Sequence, residues 1–388
     1  MNIGVLKERK RDERRVALLP TQAFALTQTG HRVWVEHGAG QAAGYDDGAY
    51  AEAGARLGPE ADIYERSELL LKVKCPLPEE YHFLRPRHVL FAFLHFDENI
   101  PAESIVKLVE TGVTAIAYEW VQQGTAFPLL QPMSELTGAI FARRAMDLLM
   151  ERTGLLGGQY LSAWPGVPAM VIGGGHIGLN AVNVLARNGF PLTIVDKHPE
   201  TLQARLMRYV PDWVWARTPA EVLKFDESDP KTSVAAIRNR LSETHIVICA
   251  AVRRPTLPTQ RCKYIITRAG VRSMPDGSVI CDATACDRDF IETCISSESL
   301  TQTYTEEGVI HYNCDHVPSL VPRIASDLLT RASFPFVQAL STGLRNAVAE
   351  NPALAKAVMC YQGKLTHAYS AQEKSLSHSE FLAMLRPQ

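Results

Sequence analysis

The chain has no Cys-x-x-Cys pair, and its eight cysteines show no zinc-like spacing to histidine. That removes zinc ribbons and thioredoxin-like motifs, and no metal is expected. Most of the cysteines lie in apolar runs and read as buried thiols of a reducing, cytoplasmic compartment. Charge of one sign is also missing. The net charge is -2 over 388 residues, so no basic face points to nucleic acid or an anionic membrane. No apolar run reaches the roughly 18 residues that a spanning helix needs. The most apolar long region, 154–175, is broken by Gly157, Gly158, Pro165 and Gly166. The opening MNIGVLKERKRDE is charged where a secretory signal is apolar, so none is expected. Repeats and low-complexity tracts are absent. What remains is a globular composition, 46% hydrophobic and 21% charged, at a length that supports two domains.

The most informative stretch is 170–196, MVIGGGHIGLNAVNVLARNGFPLTIVD. An apolar run meets a glycine cluster, a helical pattern follows to Gly189, and a second apolar run ends on Asp196. The glycines have G-x-G-x-x-G spacing. Gly173 permits the turn, Gly175 admits a pyrophosphate to the backbone, and Gly178 lets helix and strand pack closely. The N–H groups at the helix start, at His176 and Ile177, face the phosphates where the macrodipole is positive. Asp196 falls where an acid binds both hydroxyls of an adenosine ribose and repels a 2′-phosphate, so NAD is expected over NADP. Ala251, just past a later strand, joins the expected cofactor contacts.

The first 130 residues alternate short apolar runs, at 3–5, 33–35, 69–73, 89–93 and 114–117, with segments of helical period. They predict an α/β layer. A long helix is predicted over 134–151 with Ser134 as N-cap. Later strands are predicted at 213–215, 245–250 and 278–282. A polar insertion at 225–233 precedes a helix at 234–241, and the last 65 residues read as mostly helical.

Several segments together resemble the alanine dehydrogenase family, which includes the nucleotide-binding part of the proton-translocating transhydrogenases. They are LKERKRDERRVALLP (6–20), GAGQAAGYDDGAYAEAGA (38–55), LLLKVKCPLPEEYHFLRPRHVLFAFLH (69–95), GVTAIAYEWV (112–121), PLLQPMSELTG (128–138), the glycine turn, VRSMPDGSVICD (271–282) and HYNCDHVPSLVPR (311–323). The resemblance implies an α/β fold of two doubly wound Rossmann-like domains with a cleft between them. Residues 1–133 plus 319–388 would form the substrate domain and 134–318 the NAD-binding domain. It also implies a homo-oligomer, dimer or hexamer, acting on an amino acid and its 2-oxo acid.

Roles carry over residue by residue. Arg15 matches the arginine that grips the substrate carboxylate, for which a planar guanidinium suits. Its neighbour Arg14 is read as surface. Lys74 ends an apolar strand and matches the lysine that binds the carboxylate or carbonyl oxygen; Lys72, two residues earlier, is the lesser candidate. His95 ends the next apolar run and matches the general acid/base, a role that a group titrating near neutrality suits. Tyr118 and Glu119 match a segment lining the same cleft, with Glu119 taken as substrate-binding. Ser134 matches a serine at the cofactor phosphates.

Two departures mark this chain. The family's catalytic aspartate near the nicotinamide falls, without a gap, on Cys286; Asp287 is one residue later and is carried forward as the catalytic acid. One residue of slip in an extended stretch turns a side chain to the other face. Where relatives place asparagine, this chain has His316, taken as substrate-binding, beside Asp315. The segment 314–323 is more similar to saccharopine dehydrogenases and carboxyethylornithine synthases. The expected activity is therefore NAD-dependent oxidative deamination of a small L-amino acid. An opine- or saccharopine-type reductase and a catalytically impaired NAD-binding protein are the alternatives.

Overall fold

Short apolar runs make the central strands because a parallel sheet covered on both faces buries every side chain. In a computed structural model, which describes residues 1–98, 100–251, 264–284 and 286–385, the first group is β1 (Asn2–Val5), β2 (Arg32–Glu36), β3 (Arg56–Gly58), β4 (Leu69–Lys74), β5 (Val89–Phe93) and β6 (Thr114–Ala117). The second is β7 (Ala169–Ile172), β8 (Leu192–Asp196), β9 (Ala220–Lys224), β10 (Ile246–Cys249), β11 (Val279–Asp282), β12 (Tyr304–Glu306) and β13 (Val309–Tyr312). β14 (Val358–Tyr361) and β15 (Lys364–Leu365) come last.

The chain divides into two units, Met1–Met133 with Ser319–Gln388, and Ser134–Pro318. In the first, the sheet runs β15-β14-β6-β5-β4-β1-β2-β3. Its β3-β2-β1-β4-β5-β6 portion is parallel throughout, in the doubly wound order. β14 joins antiparallel to β6 and β15 to β14. In the second unit the order is β12-β13-β11-β10-β7-β8-β9, the same doubly wound order with β12 added antiparallel at one edge. In each, the strand order reverses beside the first strand, between β1 and β4 and between β7 and β10. That is where such sheets bind ligands, at their carboxyl ends.

Three predicted elements are corrected. Residues 213–215 are not a strand: Asp212–Trp215 is a short helix after Pro211, with Trp213 63% exposed. The strand of that region is β9, an edge strand whose residues alternate between exposed and half-buried, so it carries no continuous apolar signal. The long helix runs Leu130–Thr153, which puts Ser134 inside it rather than at its cap. Pro132 is tolerated there because a first-turn residue has no intrahelical use for an N–H. The helix expected at 234–241 begins earlier, Pro230–Leu241, capped by Asp229, whose carboxylate accepts the Thr232 N–H at 3.2 Å. Five cysteines (249, 281, 294, 314, 360) are buried and Cys75 and Cys286 are half-buried; Cys262 lies outside the described residues. Among the described residues no helix is long and apolar enough to cross a membrane.

Candidate active site

Lys74 is the last residue of β4, and His95 lies two residues beyond β5. Both therefore stand at the carboxyl edge of the first sheet. Lys74 Nζ is 3.2 Å from His95 Nε2, and Lys74 is only 6% exposed. At that spacing a neutral imidazole accepts a lysine proton, whereas a protonated one would press two cations together. His95 Nδ1 lies 3.2 Å from Glu98 Oε2. Burial pulls the His95 pKa down and Lys74 adds to this, but Glu98 and Glu119 outweigh them and the net displacement is upward.

His95 adopts φ of 50°. That left-handed conformation costs a non-glycine residue about 1–2 kcal/mol, so something must hold it. Glu119 does: its Oε1 accepts the His95 N–H at 2.7 Å and the Leu94 N–H at 3.1 Å. Burial raises the Glu119 pKa, against the pull of His95. Glu119, expected among the substrate contacts, is thus placed as a clamp on the backbone of the candidate base. Tyr118 is fully buried, edge-on to Phe91 and Phe93 with ring centroids 4.3 and 5.1 Å away.

Arg15 is 4% exposed and is gripped in two places by Glu13: Nε donates to Oε1 at 2.8 Å and Nη2 to Oε2 at 2.6 Å. Nη1 is 3.2 Å from the Met133 sulfur, and Ser319 Oγ donates to Glu13 Oε1 at 2.5 Å. A bidentate pair fixes the plane of the guanidinium. Lys72 is not a solvated strand-end lysine. It is fully buried, donates to Glu80 Oε1 at 2.8 Å, and shares that oxygen with Tyr64 at 3.1 Å.

In the second unit the glycine turn has the form its spacing predicts. Gly173 has φ of 98°, and a Cβ there would lie 2.8 Å from the Ala250 carbonyl. A Cβ on Gly178 would fall 1.8 Å from the Gly173 carbonyl oxygen, so helix His176–Arg187 can approach β7 only over a glycine. A Cβ on Gly175 meets nothing within 4 Å. That open space lies at the start of a 12-residue helix whose N-cap, Gly175, supplies no side-chain cap bond. Amides, positive dipole end and room for an anion coincide there, so the residues fit a dinucleotide pyrophosphate. Ala251 follows β10 at the adjacent strand end and is half-buried, and Ser134 is half-buried on its helix.

Asp196 ends β8 and is 7% exposed. Its Oδ2 accepts the Gly174 N–H at 2.7 Å and its Oδ1 accepts the His198 N–H at 2.8 Å. Arg205 adds a bond to Oδ1 at 2.6 Å. Burial would raise the Asp196 pKa, but Arg205 and the two amides hold it below the usual carboxylate range. The arginine is a feature the sequence reading missed; it lies nine residues on, in helix Pro199–Leu206, without a motif to mark it. His176 Nδ1 meets the Tyr209 hydroxyl, which donates to Glu135 Oε1 at 3.1 Å.

Asp287 is exposed and its Oδ1 accepts the Ser296 N–H at 2.7 Å, which closes a local loop. Cys286 is half-buried. Ala285, on which the register between them depends, lies outside the described residues. His316 is 1% exposed, with Nδ1 2.5 Å from Asp315 Oδ1 and 3.6 Å from the Cys314 sulfur. Its Nε2 is buried and has no hydrogen-bond partner among the described residues.

Two more carboxylates, Glu8 and Glu13, belong to the first unit's site and were not singled out from the sequence. Both sit in the run KERKRDERR, which reads as a solvated charged segment. Only their partners, Val73 and Lys74 for Glu8 and Arg15 and Ser319 for Glu13, distinguish them from surface charge.

A glycine turn set against helix amides, and a Lys–His pair at the carboxyl edge of a second doubly wound sheet, define a dinucleotide-dependent α/β enzyme. Comparison with known proteins narrows the class. The model of the alanine dehydrogenase/PNT N-terminal domain matches residues 4–137 and that of the alanine dehydrogenase/PNT C-terminal domain residues 150–368. The chain belongs to this alanine dehydrogenase and pyridine nucleotide transhydrogenase family. It is 35% identical to an alanine dehydrogenase of Bacillus subtilis over 96% of this chain and 94% of that one. With an alanine dehydrogenase of Staphylococcus haemolyticus the identity is 33% over 98% of each. A solved L-alanine dehydrogenase superposes with a TM-score of 0.81 at 31% identity, covering 96% of this chain and 99% of that one. A transhydrogenase from Sinorhizobium meliloti shares the fold, with a TM-score of 0.74 at 22% identity over 95% of this chain and 99% of that one.

Proposed function

We propose that the chain is an NAD-dependent amino-acid dehydrogenase that interconverts a small L-amino acid, alanine first, with its 2-oxo acid and ammonium. The observation that carries this reading is the part-buried Lys74–His95 pair at adjacent strand ends, in a chain similar end to end to alanine dehydrogenases. The unit containing β1–β6 takes the substrate domain's role and Ser134–Pro318 that of the NAD domain. A homo-oligomer, dimer or hexamer, is part of the reading.

The guanidinium of Arg15 and the ammonium of Lys74 hold the substrate carboxylate and polarise the oxygen of the carbonyl or carbinolamine. His95, neutral and with Nδ1 toward Glu98, takes a proton at Nε2 from the attacking water in deamination when the Lys74 ammonium turns to the substrate, and returns it in the reverse direction. Glu119 keeps the imidazole in place through the backbone. The backbone of Gly173, Gly175, His176, Ile177 and Gly178 receives the pyrophosphate, Asp196 the adenosine ribose, and Ser134 and Ala251 flank it. When bound, the nicotinamide supplies the hydride acceptor for the substrate Cα.

Asp196→Gly is expected to weaken discrimination against NADP. It removes the anion that repels a 2′-phosphate and releases Arg205 to receive one. The NADP-to-NAD ratio of kcat/KM should rise about 10- to 100-fold, the size of one charge-assisted hydrogen bond. An unchanged ratio would show that Asp196 does not meet the ribose.

A second reading rests on the Asp315–His316 pair, absent from the usual dehydrogenase pattern. It has the chain reduce the imine formed between an amino acid and a 2-oxo acid. One assay separates the two. NADH oxidation is followed with pyruvate and ammonium, and separately with pyruvate or 2-oxoglutarate and a panel of amino acids without ammonium. Turnover only with ammonium establishes the dehydrogenase; turnover only with an amino-acid partner moves the chain to the imine-condensing class.

A further inference from the structure

β1 and β4 are paired in register only as far as Val5 opposite Leu71, with one more bond from the Leu6 N–H to the Leu71 carbonyl at 3.2 Å. The chain after β1 then leaves the sheet, while β4 continues to Lys74. On its other side β4 slips against β5, with a register shift between Leu71 and Lys74. Beyond Leu71 β4 therefore loses its β1 partner just where the candidate substrate-binding lysine is mounted, while Lys74 stays paired with Phe93 of β5. A buried N–H without an acceptor is costly, so the geometry there needs a substitute. Glu8 provides it. Its Oε1 accepts the Val73 N–H at 2.6 Å and its Oε2 accepts the Lys74 N–H at 3.2 Å.

We propose that Glu8 is a positioning residue for Lys74: its carboxylate stands in for the missing strand, fixes the end of β4, and so aims the ammonium at His95 and the substrate. The inference deepens the dehydrogenase reading and rests on it. Glu119 does the same for β5, where it holds the Leu94 and His95 amides. The two partners of the Lys74–His95 pair are thus each mounted on an amide pair held by one carboxylate, contributed by the segments that follow β1 and β6, the strands flanking β4 and β5.

Two acceptor oxygens are needed at once, and only the ionised carboxylate offers both without a competing O–H. Ionisation of Glu8 is not free. Burial pushes its pKa up, Lys72 on β4 and the Val73 amide pull it down, and Glu13 and Glu80 push it up again, leaving it at about 7. Tyr64 and Tyr118 also face it. Below that pH the clamp loses one acceptor, and the lysine mount loosens in the physiological range.

Glu8→Gln tests this. The amide keeps the size and one acceptor but turns an N–H₂ toward the second backbone N–H. The expected result is a fall of about 100-fold in kcat/KM for the amino acid, the order of loss from a small misplacement of a reacting group. The KM for NAD and the NADH dissociation constant, read by fluorescence, should not move. The pH profile of kcat/KM should also lose an ionisation near neutrality. Wild-type turnover with an unchanged pH profile would overturn the inference. Glu8→Asp keeps the charge and shortens the reach, so turnover should fall while the pH transition survives; it serves if Glu8→Gln does not fold, and wild-type turnover in Glu8→Asp overturns the inference equally. An inactive wild-type protein would instead sink the dehydrogenase reading itself, which keeps the two failures apart.

Discussion

Lys74→Met lowers kcat/KM for the amino-acid substrate by about 10²–10⁴-fold, the factor that follows from about 3–5 kcal/mol for removing one partner of a buried charged pair. Two effects combine. The substrate carboxylate loses a cation in a site where Lys74 is 6% exposed and water screens little. His95 also loses the proton donor 3.2 Å from its Nε2. Methionine keeps the length and apolar stem, so the strand end should stay packed. On the proposed assignment NADH binds to Ser134–Pro318, so a fluorescence titration of NADH should be unaffected. Lys74→Arg should rescue little, because a planar fork does not reproduce a compact ammonium in a buried space. Turnover at the wild-type level in Lys74→Met would remove this lysine from the site.

His95→Asn lowers turnover by about 10²–10⁴-fold, the usual contribution of a general acid/base. The pH dependence gives a sharper test. Deamination needs the neutral imidazole, so activity should rise with pH through the His95 pKa, which lies above its ordinary value of 6.5. Burial and Lys74 favour the neutral form, and Glu98 and Glu119 more than offset them. Glu98→Gln removes one of those anions without touching the backbone that Glu119 holds. The acid limb of the kcat/KM profile should therefore move to lower pH, so that the variant keeps activity at a pH where the wild type has lost it. A limb that stays in place would mean that another group sets it.

The parts of this fold that were legible in sequence are those with local signals. The run VLFAF and the LLL that opens LLLKVK are apolar on both faces because both faces of a parallel strand are covered, and each gave its strand within a residue. The glycine turn was legible because three separate steric demands fall on three fixed positions. β9 was not, since an edge strand with alternating half-exposed residues satisfies no apolar template. β14 was hidden for a different reason: VMCY is four residues long and follows helices, and its partner β6 lies far back in the chain. Lys74 and His95 were readable only with the family resemblance, for a strand-end lysine or histidine is ordinary by itself. Glu8, Glu13 and Arg205 were not readable even so. Their meaning lies in which amide or carboxylate they meet, and no spacing rule encodes that.

The antiparallel joining of β14 to β6 has a consequence for the order in which the chain acquires its shape. About 240 residues separate Ala117 from Val358. At ribosomal speed that gap lasts on the order of ten to fifty seconds. Throughout it the nascent first sheet ends at a bare β6 edge, the kind that pairs with a neighbouring chain. The intervening Ser134–Pro318 unit is contiguous and can finish on the ribosome while its host waits. Synthesis from crowded polysomes therefore puts β6 at risk of intermolecular pairing, and a pause placed before residue 358 should raise aggregation more than one placed before residue 134.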